Sequence, residues 1–220
     1  AQGSGDIWIE NCVVRDVKHK GIHWGTTCDR ITIRGNLCLR CGSPAAEKVS
    51  NNGGTGGMYF CYNNHRVLIE GNRMVDCYRG VFGFDERDAS GGVDTDSLIA
   101  NNIFENCTAN GVSPDGFYGT GRHLRIAGNQ FIRFTGDATP ILFTHNGGLS
   151  GSVISGNVFG DFQDGYAGEN GAIMIANANG VVIRGNVVER NPSATGSTAD
   201  LKPGSISRGG ETQRYCGPAG

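Results

Sequence analysis

One short phrase recurs along this chain and limits its fold more than any other feature: an apolar residue, any residue, Gly or Asn, and then Asn. Ile33-Arg34-Gly35-Asn36 is a clear copy, and the first copy is degenerate, with a cysteine in the last place. The final positions of the seven copies are Cys12, Asn36, Asn72, Asn102, Asn129, Asn157 and Asn186. Spacings of 24 to 36 residues between them indicate a stack of similar structural units.

The residues around each copy predict short strands with one buried face. Apolar and variable residues alternate before the Asn, as in Val67-Leu68-Ile69, and this period of two is typical of β-strands. The positions two residues after it carry Val14, Cys38, Met74, Phe104, Phe131, Phe159 and Val188. The positions five residues after it carry Val17, Cys41, Cys77, Cys107, Phe134 and Phe162, before Asn191 breaks the series. A further short strand, often introduced by Gly, follows in most copies, as in Gly57-Met58-Tyr59-Phe60.

These patterns predict an all-β fold, a right-handed parallel β-helix of about seven coils over residues 1–191. Residues 192–220 lose the repeat and are expected to form an irregular C-terminal extension. The 37 Gly residues of the 220 suit frequent tight turns. The Leu-dominated consensus of leucine-rich repeats and the strict hexapeptides of left-handed helices are both absent.

The stacked coils give the repeated Asn and Cys residues structural roles. Coils lie about 4.8 Å apart, so each Asn amide can bond both the next Asn and the turn backbone. Cys41, Cys77 and Cys107 are expected to form a buried column of reduced thiols, because free Cys packs as a small hydrophobic residue. The spacing of Cys38 and Cys41 is also that of half a zinc site, but no second pair of this spacing follows.

The repeated phrase, apolar-x-Gly-Asn-x-apolar, resembles the repeat of the pectate-lyase-like superfamily over residues 4 to about 191. That group includes polysaccharide lyases, epimerases, glycosidases and phage tailspikes. The resemblance implies a polysaccharide-binding protein, and an enzyme of the lyase, epimerase or glycosidase type if it is catalytic. The alternative is a non-catalytic structural or adhesive module, such as a tailspike shaft. Either function implies a location outside the cell or on a virion.

Two columns of side chains are the candidate site. His23, Tyr59 and Phe82 alternate with inward neighbours and are expected to form an exposed aromatic row, suited to the apolar faces of sugar rings; packing under the 42–57 loop is the alternative. Tyr62, Asp85, Asp115 and His145 follow three or four positions later. If Asp85 and Asp115 lie roughly 5 Å apart, they resemble a retaining glycosidase pair, and His145 and Tyr62 could transfer protons.

One local motif is similar to that of mannuronan C5-epimerases, Tyr-Gly-Phe-Asp-Pro-His-Asp. It reads Phe82-Gly83-Phe84-Asp85-Glu86-Arg87-Asp88, in which four of the seven residues match. Phe82 and Arg87 stand where that family has its catalytic Tyr and His, and neither can make the same proton transfer. The resemblance therefore implies a lost or altered activity, with Arg87 kept as a substrate-binding candidate.

Composition limits the remaining partners. A net charge of −2 without a long basic run gives no reason to expect nucleic acid, and no apolar stretch reaches the length of a membrane span. No cofactor or metal site is expected; Asp88, Asp94 and Asp96 offer oxygen ligands for calcium on the 86–96 loop, but solvated acids are the favoured interpretation. Assembly as a homotrimer, or as part of a larger chain, is expected.

Overall fold

The computed structural model describes residues 3, 5–25, 27–49, 55–60, 64–83, 94–114, 120–134, 138–143, 148–160, 172–175, 178–189, 205–208 and 211–214. Within these ranges the chain is almost entirely β, with three sheets and one six-residue helix, α1 (Pro44–Val49). The described residues include no helix that could cross a membrane.

The three sheets run the length of the stack, and each coil contributes to all three in turn. Sheet A contains β1 (Gly5–Glu10), β4 (Asp29–Arg34), β7 (His65–Glu70), β10 (Asp94–Thr95), β11 (Leu98–Ala100), β14 (Thr120–Arg122), β15 (Arg125–Ala127), β18 (Gly148–Ser150), β19 (Val153–Ser155) and β22 (Val182–Arg184). Sheet B contains β2 (Val13–Arg15), β5 (Leu37–Leu39), β8 (Arg73–Val75), β12 (Ile103–Glu105), β16 (Gln130–Ile132), β20 (Val158–Gly160) and β23 (Val187–Val188). Sheet C contains β3 (Lys20–Trp24), β6 (Gly56–Phe60), β9 (Arg79–Gly83), β13 (Asn110–Pro114), β17 (Thr139–Phe143), β21 (Ile173–Ile175), β24 (Ser205–Arg208) and β25 (Glu211–Arg214).

The predicted parallel stack of about seven coils is confirmed. Sheet B has one strand per coil and seven strands, and every described strand pair is parallel except β24 with β25. The predicted inward positions stack in register, as Cys38 with Met74 and Phe104 with Phe131. The register predicted from the repeated phrase is therefore that of the structure.

The Asn ladder between sheets A and B is also confirmed. From Asn36 to Asn157, the side-chain Nδ2 donates to the Oδ1 of the next Asn and to a backbone carbonyl one coil earlier; Asn102, for example, donates to Asn129 at 3.0 Å and to the carbonyl of Ile69 at 2.9 Å. The same Oδ1 also accepts the backbone N–H of the preceding Asn. Asn186, the last rung, donates to the carbonyl of Ile154. At the degenerate first copy, the backbone N–H of Cys12 donates to Asn36 Oδ1 at 2.9 Å. Each amide from Asn36 to Asn157 thus links its own coil to the coils on both sides, inside a turn that is closed to water.

The core lies inside the coils and contains the predicted columns. Cys41, Cys77, Cys107 and Phe134 are fully buried, and the six described cysteines are free thiols; Phe162 lies outside the described residues. Burial raises the pKa of the Cys107 thiol. The rings of Phe104, Phe131 and Phe159 stack almost parallel, with centroids 4.7 and 4.9 Å apart.

Glycine residues near the start of the sheet C strands lie directly against the aromatic rings of this core. A Cβ on Gly80 would lie 2.3 Å from the Phe104 ring, and one on Gly111 would lie 2.7 Å from the Phe131 ring. Only a residue without a side chain fits at these two positions, which explains the Gly that introduces the second strand of several coils.

The C-terminal segment departs from the expected irregular extension in two places. β24 and β25 pair antiparallel, and Ile206 of β24 pairs with Ile175 at the edge of sheet C. The sequence Gly209-Gly210 between the two strands is a common hairpin connection that does not belong to the Asn repeat. The boundary at residue 191 stays a prediction.

Candidate functional site

The outer face of sheet C carries the aromatic row, by which we mean His23, Tyr59 and Phe82. Their Cα atoms are register partners in successive strands, and Ser113 continues the series. The alternation of inward and outward residues predicted this alignment, because Ile22, Met58 and Val81 lie in the core beside them. The predicted register of the row is confirmed.

The prediction that the whole row is exposed is wrong. His23 is exposed, but Tyr59 retains only 3% of its accessible surface and Phe82 none. The rings lie on one another, with centroids 5.0 Å apart for His23 and Tyr59 and 4.8 Å apart for Tyr59 and Phe82. Gly56, at the end of the 42–57 segment, lies so close to the Phe82 ring that a Cβ there would be 2.8 Å from Cε1. Alternation shows which way a side chain points and does not show what covers it.

Two cations that the sequence analysis missed lie beside these rings. Lys20 Nζ is 3.8 Å from the centroid of the Tyr59 ring. Arg79 Cζ is 5.7 Å from the Phe82 centroid and 5.2 Å from that of Tyr78. Cations over aromatic faces are held by the negative charge of the ring face. The available signal was positional, since Lys20 and Arg79 both occupy the first position of a sheet C strand.

The surroundings of His23 lower the pKa of its imidazole and so favour the uncharged ring. Partial burial lowers the pKa of its imidazole below the ordinary value of 6.5, and the positive charge of Lys20 lowers it further. At neutral pH the ring is therefore a neutral base whose neighbour is a cation. Lys20 and His23 both contact the Tyr59 ring. The ring therefore keeps the His23 imidazole and the Lys20 ammonium close to each other.

The predicted catalytic set, Tyr62, Asp85, Asp115 and His145, lies outside the described residues, as does Arg87. Chain position nevertheless relates them to sheet C. β9 ends at Gly83 and β13 at Pro114, so Asp85 and Asp115 follow these strands by two residues and one residue. Their convergence stays a prediction.

The metal alternatives find no support in the described ranges, where no cluster of three or more His, Cys, Asp or Glu is arranged to hold an ion. Cys38 and Cys41 are both buried in the core. Asp96, one of the three carboxylates considered for calcium, is paired with His123, with 3.3 Å between Oδ1 and Nδ1. Asp88 lies outside the described residues.

Apart from the face of sheet C, a groove of about 390 Å³ lies at the start of the sheet A strands. It is lined by Thr27, Asp29, His65, Arg66 and Asp96. Arg66 Nε donates to Asp29 Oδ1 at 2.7 Å, and this bond from Arg66 lowers the pKa of Asp29. The charges that line this groove are largely paired with each other, so it offers less to a charged ligand than the face of sheet C.

Sheets, ladder and core together define a parallel β-solenoid with a side face that carries a histidine base and a lysine. The family model described as "Right handed beta helix region" matches residues 1–133, and the chain belongs to this family. No curated protein matches the chain. Among solved structures, the chain is similar to an alginate lyase from Paenibacillus sp. str. FPU-7, with a TM-score of 0.57 and 16% sequence identity over 86% of this chain and 57% of that one. The chain thus spans little more than half the length of that lyase.

Proposed function

We propose that this protein binds an acidic polysaccharide at the His23 end of the outer face of sheet C, where the aromatic row is exposed, and removes a proton from a uronate ring bound there. The observation that carries the proposal is the neutral His23 imidazole beside the Lys20 ammonium, both held against the Tyr59 ring. A solenoid side face suits an extended polymer, since equivalent positions repeat along it. The fold shared with an alginate lyase agrees with a polyuronate ligand.

The two side chains have complementary roles in such a reaction. The Lys20 ammonium binds the uronate carboxylate and makes the neighbouring carbon more acidic. His23, neutral at pH 7, accepts the proton from that carbon. In a lyase the electrons of the C–H bond then form a C=C bond, the glycosidic C–O bond breaks, and its oxygen leaves with a proton supplied by an acid, for which Tyr62 is the candidate. Donation of a different proton to the opposite face of the same carbon, by a second acid, would instead give epimerisation.

A uronate-polymer assay tests this function. Alginate and pectate are incubated with the protein, and the ultraviolet absorbance of the unsaturated product and the retention of the protein in polymer-containing gels are measured. Lys20→Met should weaken retention and His23→Gln should abolish product while retention persists. Lys18→Met and His19→Gln are the matched controls, because both residues are exposed and lie just before β3. Absence of both retention and product with every uronate polymer would refute the proposal.

Hydrolysis by Asp85 and Asp115 would give a different result in the same assay. New reducing ends would appear without unsaturated product, and Asp85→Asn would remove them while His23→Gln would not. For this alternative, hydrolytic reaction we propose Asp85 and Asp115 as the catalytic pair. His145 would transfer protons, and Arg87 would bind the substrate carboxylate.

A non-catalytic module is the second candidate. It is favoured by the outward-facing apolar side chains of sheet A, which include Trp8, Leu68, Leu98, Val153 and Val182. It predicts retention or assembly without any product. For either function we propose a location outside the cell or on a virion, where polysaccharides are met.

A further inference from the structure

The outer face of sheet A carries a row of mostly apolar side chains along the whole solenoid. The members of this apolar row are register partners in successive coils: Trp8, Thr32, Leu68, Leu98, Arg125, Val153 and Val182. They alternate with core residues such as Ile33 and Ile69 and so point away from the core. Trp8 is 64% exposed and Val182 46% exposed, and Leu68, Leu98 and Val153 are partly exposed.

Charged side chains border the apolar row on both sides. One margin, at the start of the strands, is formed by Asp6, Arg30, Arg66, Asp96 and His123, and the other contains Glu10, Arg34, Glu70 and Arg184. The margins are joined by ion pairs within the chain, such as Arg30 Nε to Asp6 at 2.6 Å and Arg34 to Glu70 at 3.1 Å. An apolar centre with a polar rim is the arrangement of a protein–protein interface.

We infer that sheet A is the interface of a side-by-side dimer of this chain. Seven coils at about 4.8 Å and five residues from margin to margin at about 3.3 Å give a face of roughly 550 Å² per copy, or roughly 1,100 Å² in the pair. A stable interface needs about 1,000 Å² in total. Because most of the margin charges are paired within the chain and the net charge is only −2, the face calls for a largely neutral, apolar partner, and a second copy supplies one. Sheet C stays open in this dimer.

Charge placement sets the orientation of the two copies. A two-fold axis along the solenoid would bring opposite margins together. Asp6 would then face Glu10 and Arg30 would face Arg34, two repelling pairs against the single attractive pair of Arg66 and Glu70. A two-fold axis across the solenoid runs the copies antiparallel and brings each margin against itself in reverse order. Asp6 then meets Gly180, Arg30 meets Gly151, and Glu10 meets the oppositely charged Arg184. Asp96 meets its own copy, but each Asp96 already pairs with His123 of its own chain at 3.3 Å. In this antiparallel pair the Trp8 ring covers the exposed Val182 of the partner copy, and Leu98, in the fourth of seven coils, meets its own copy.

The position of Leu98 makes the dimer testable with charge pairs. The mass of the protein is measured by analytical ultracentrifugation at chain concentrations up to about 0.1 mM, with circular dichroism to verify folding. The native chain should have the mass of a dimer, and Leu98→Glu and Leu98→Lys should each halve it, since like charges then face each other across the axis. Mixing the two variants should restore the dimer, which a variant that fails to fold could not do.

Ile103→Glu is the matched control, because Ile103 is a partly exposed apolar residue on the outer face of sheet B. It should leave the dimer intact. A native chain that is monomeric at every concentration, a Leu98→Glu variant that stays dimeric, or a mixture of the two variants that stays monomeric would each overturn the inference.

Discussion

Replacing one amide in the middle of the Asn ladder should remove a large part of the stability of this fold. Asn102→Ala deletes four buried hydrogen bonds: two that Asn102 Oδ1 accepts from the backbone and side chain of Asn72, at 2.9 and 3.0 Å, and two that its Nδ2 donates, at 2.9 and 3.0 Å. The Asn72 side chain keeps its bond to the Ile33 carbonyl, and Asn129 Oδ1 keeps the backbone N–H of residue 102. The backbone N–H of Asn72 loses its acceptor.

The expected cost follows from these bonds. Three lost bonds between groups that keep another partner, or whose geometry can relax, cost about 1 kcal/mol each, and one orphaned buried N–H costs about 1–3 kcal/mol. The free energy of unfolding should therefore fall by about 4–6 kcal/mol, a large share of the roughly 5–15 kcal/mol typical of a domain. Urea denaturation followed by circular dichroism measures this change.

The neighbouring Asn101 provides the control. It is exposed and has a φ of 55°, which Gly adopts without strain, so Asn101→Gly should change the free energy of unfolding by less than about 1 kcal/mol. If Asn102→Ala cost less than about 1 kcal/mol, or no more than Asn101→Gly, the ladder would not hold the coils together as argued.

Three further predictions concern the core and the site. Phe131→Ala should cost about 3–5 kcal/mol in urea denaturation because it empties the middle of a ring stack, whereas Val13→Ala, at a side chain 66% exposed, should cost less than about 0.5 kcal/mol; equal costs would contradict the packing. Gly111→Ala should cost about 1–3 kcal/mol or more through its clash with the Phe131 ring, and Gly71→Ala, with no atom within 4 Å but a φ of 63°, only about 1 kcal/mol of backbone strain; the reverse order would be inconsistent with the structure. Because folding lowers the pKa of His23 below 6.5, the unfolded chain binds this proton more tightly, so stability should decline as the pH falls below about 6.5. His23→Gln should flatten that decline in denaturation midpoints measured against pH, and an unchanged slope would show that His23 is not the group responsible.

The sequence predicted the stack because the same physical requirement recurs in each coil. Every turn between sheets A and B needs a buried amide, and every inner position needs an apolar side chain, so Asn72 and Phe104 have counterparts one coil away. A contact that occurs only once in the fold produces no repeated pattern in the sequence. Lys20 of β3 contacts Tyr59 of β6 in the next coil, a contact that does not recur in the described part of the repeat, and only the folded structure shows the pairing.

Two other features were beyond the repeat pattern. Tyr59 and Phe82 point outward as alternation predicts, yet both are buried, because burial on an outer face depends on segments without a repeat. Arg30 and Arg66 adopt φ values of 53°, which are uncommon for residues other than Gly, Asn and Asp, and their ion pairs with Asp6 and Asp29 form only once neighbouring coils are stacked.

Nuclear Overhauser contacts between amide protons of successive rungs test the whole account most directly. The stacked register predicts cross-peaks that link the side-chain amide of Asn72 to Asn102 and that of Asn102 to Asn129, residues 30 and 27 positions apart. Cross-peaks that instead pair these amides with strands adjacent in sequence would indicate antiparallel hairpins, and the faces assigned to polysaccharide and to the second copy would not exist.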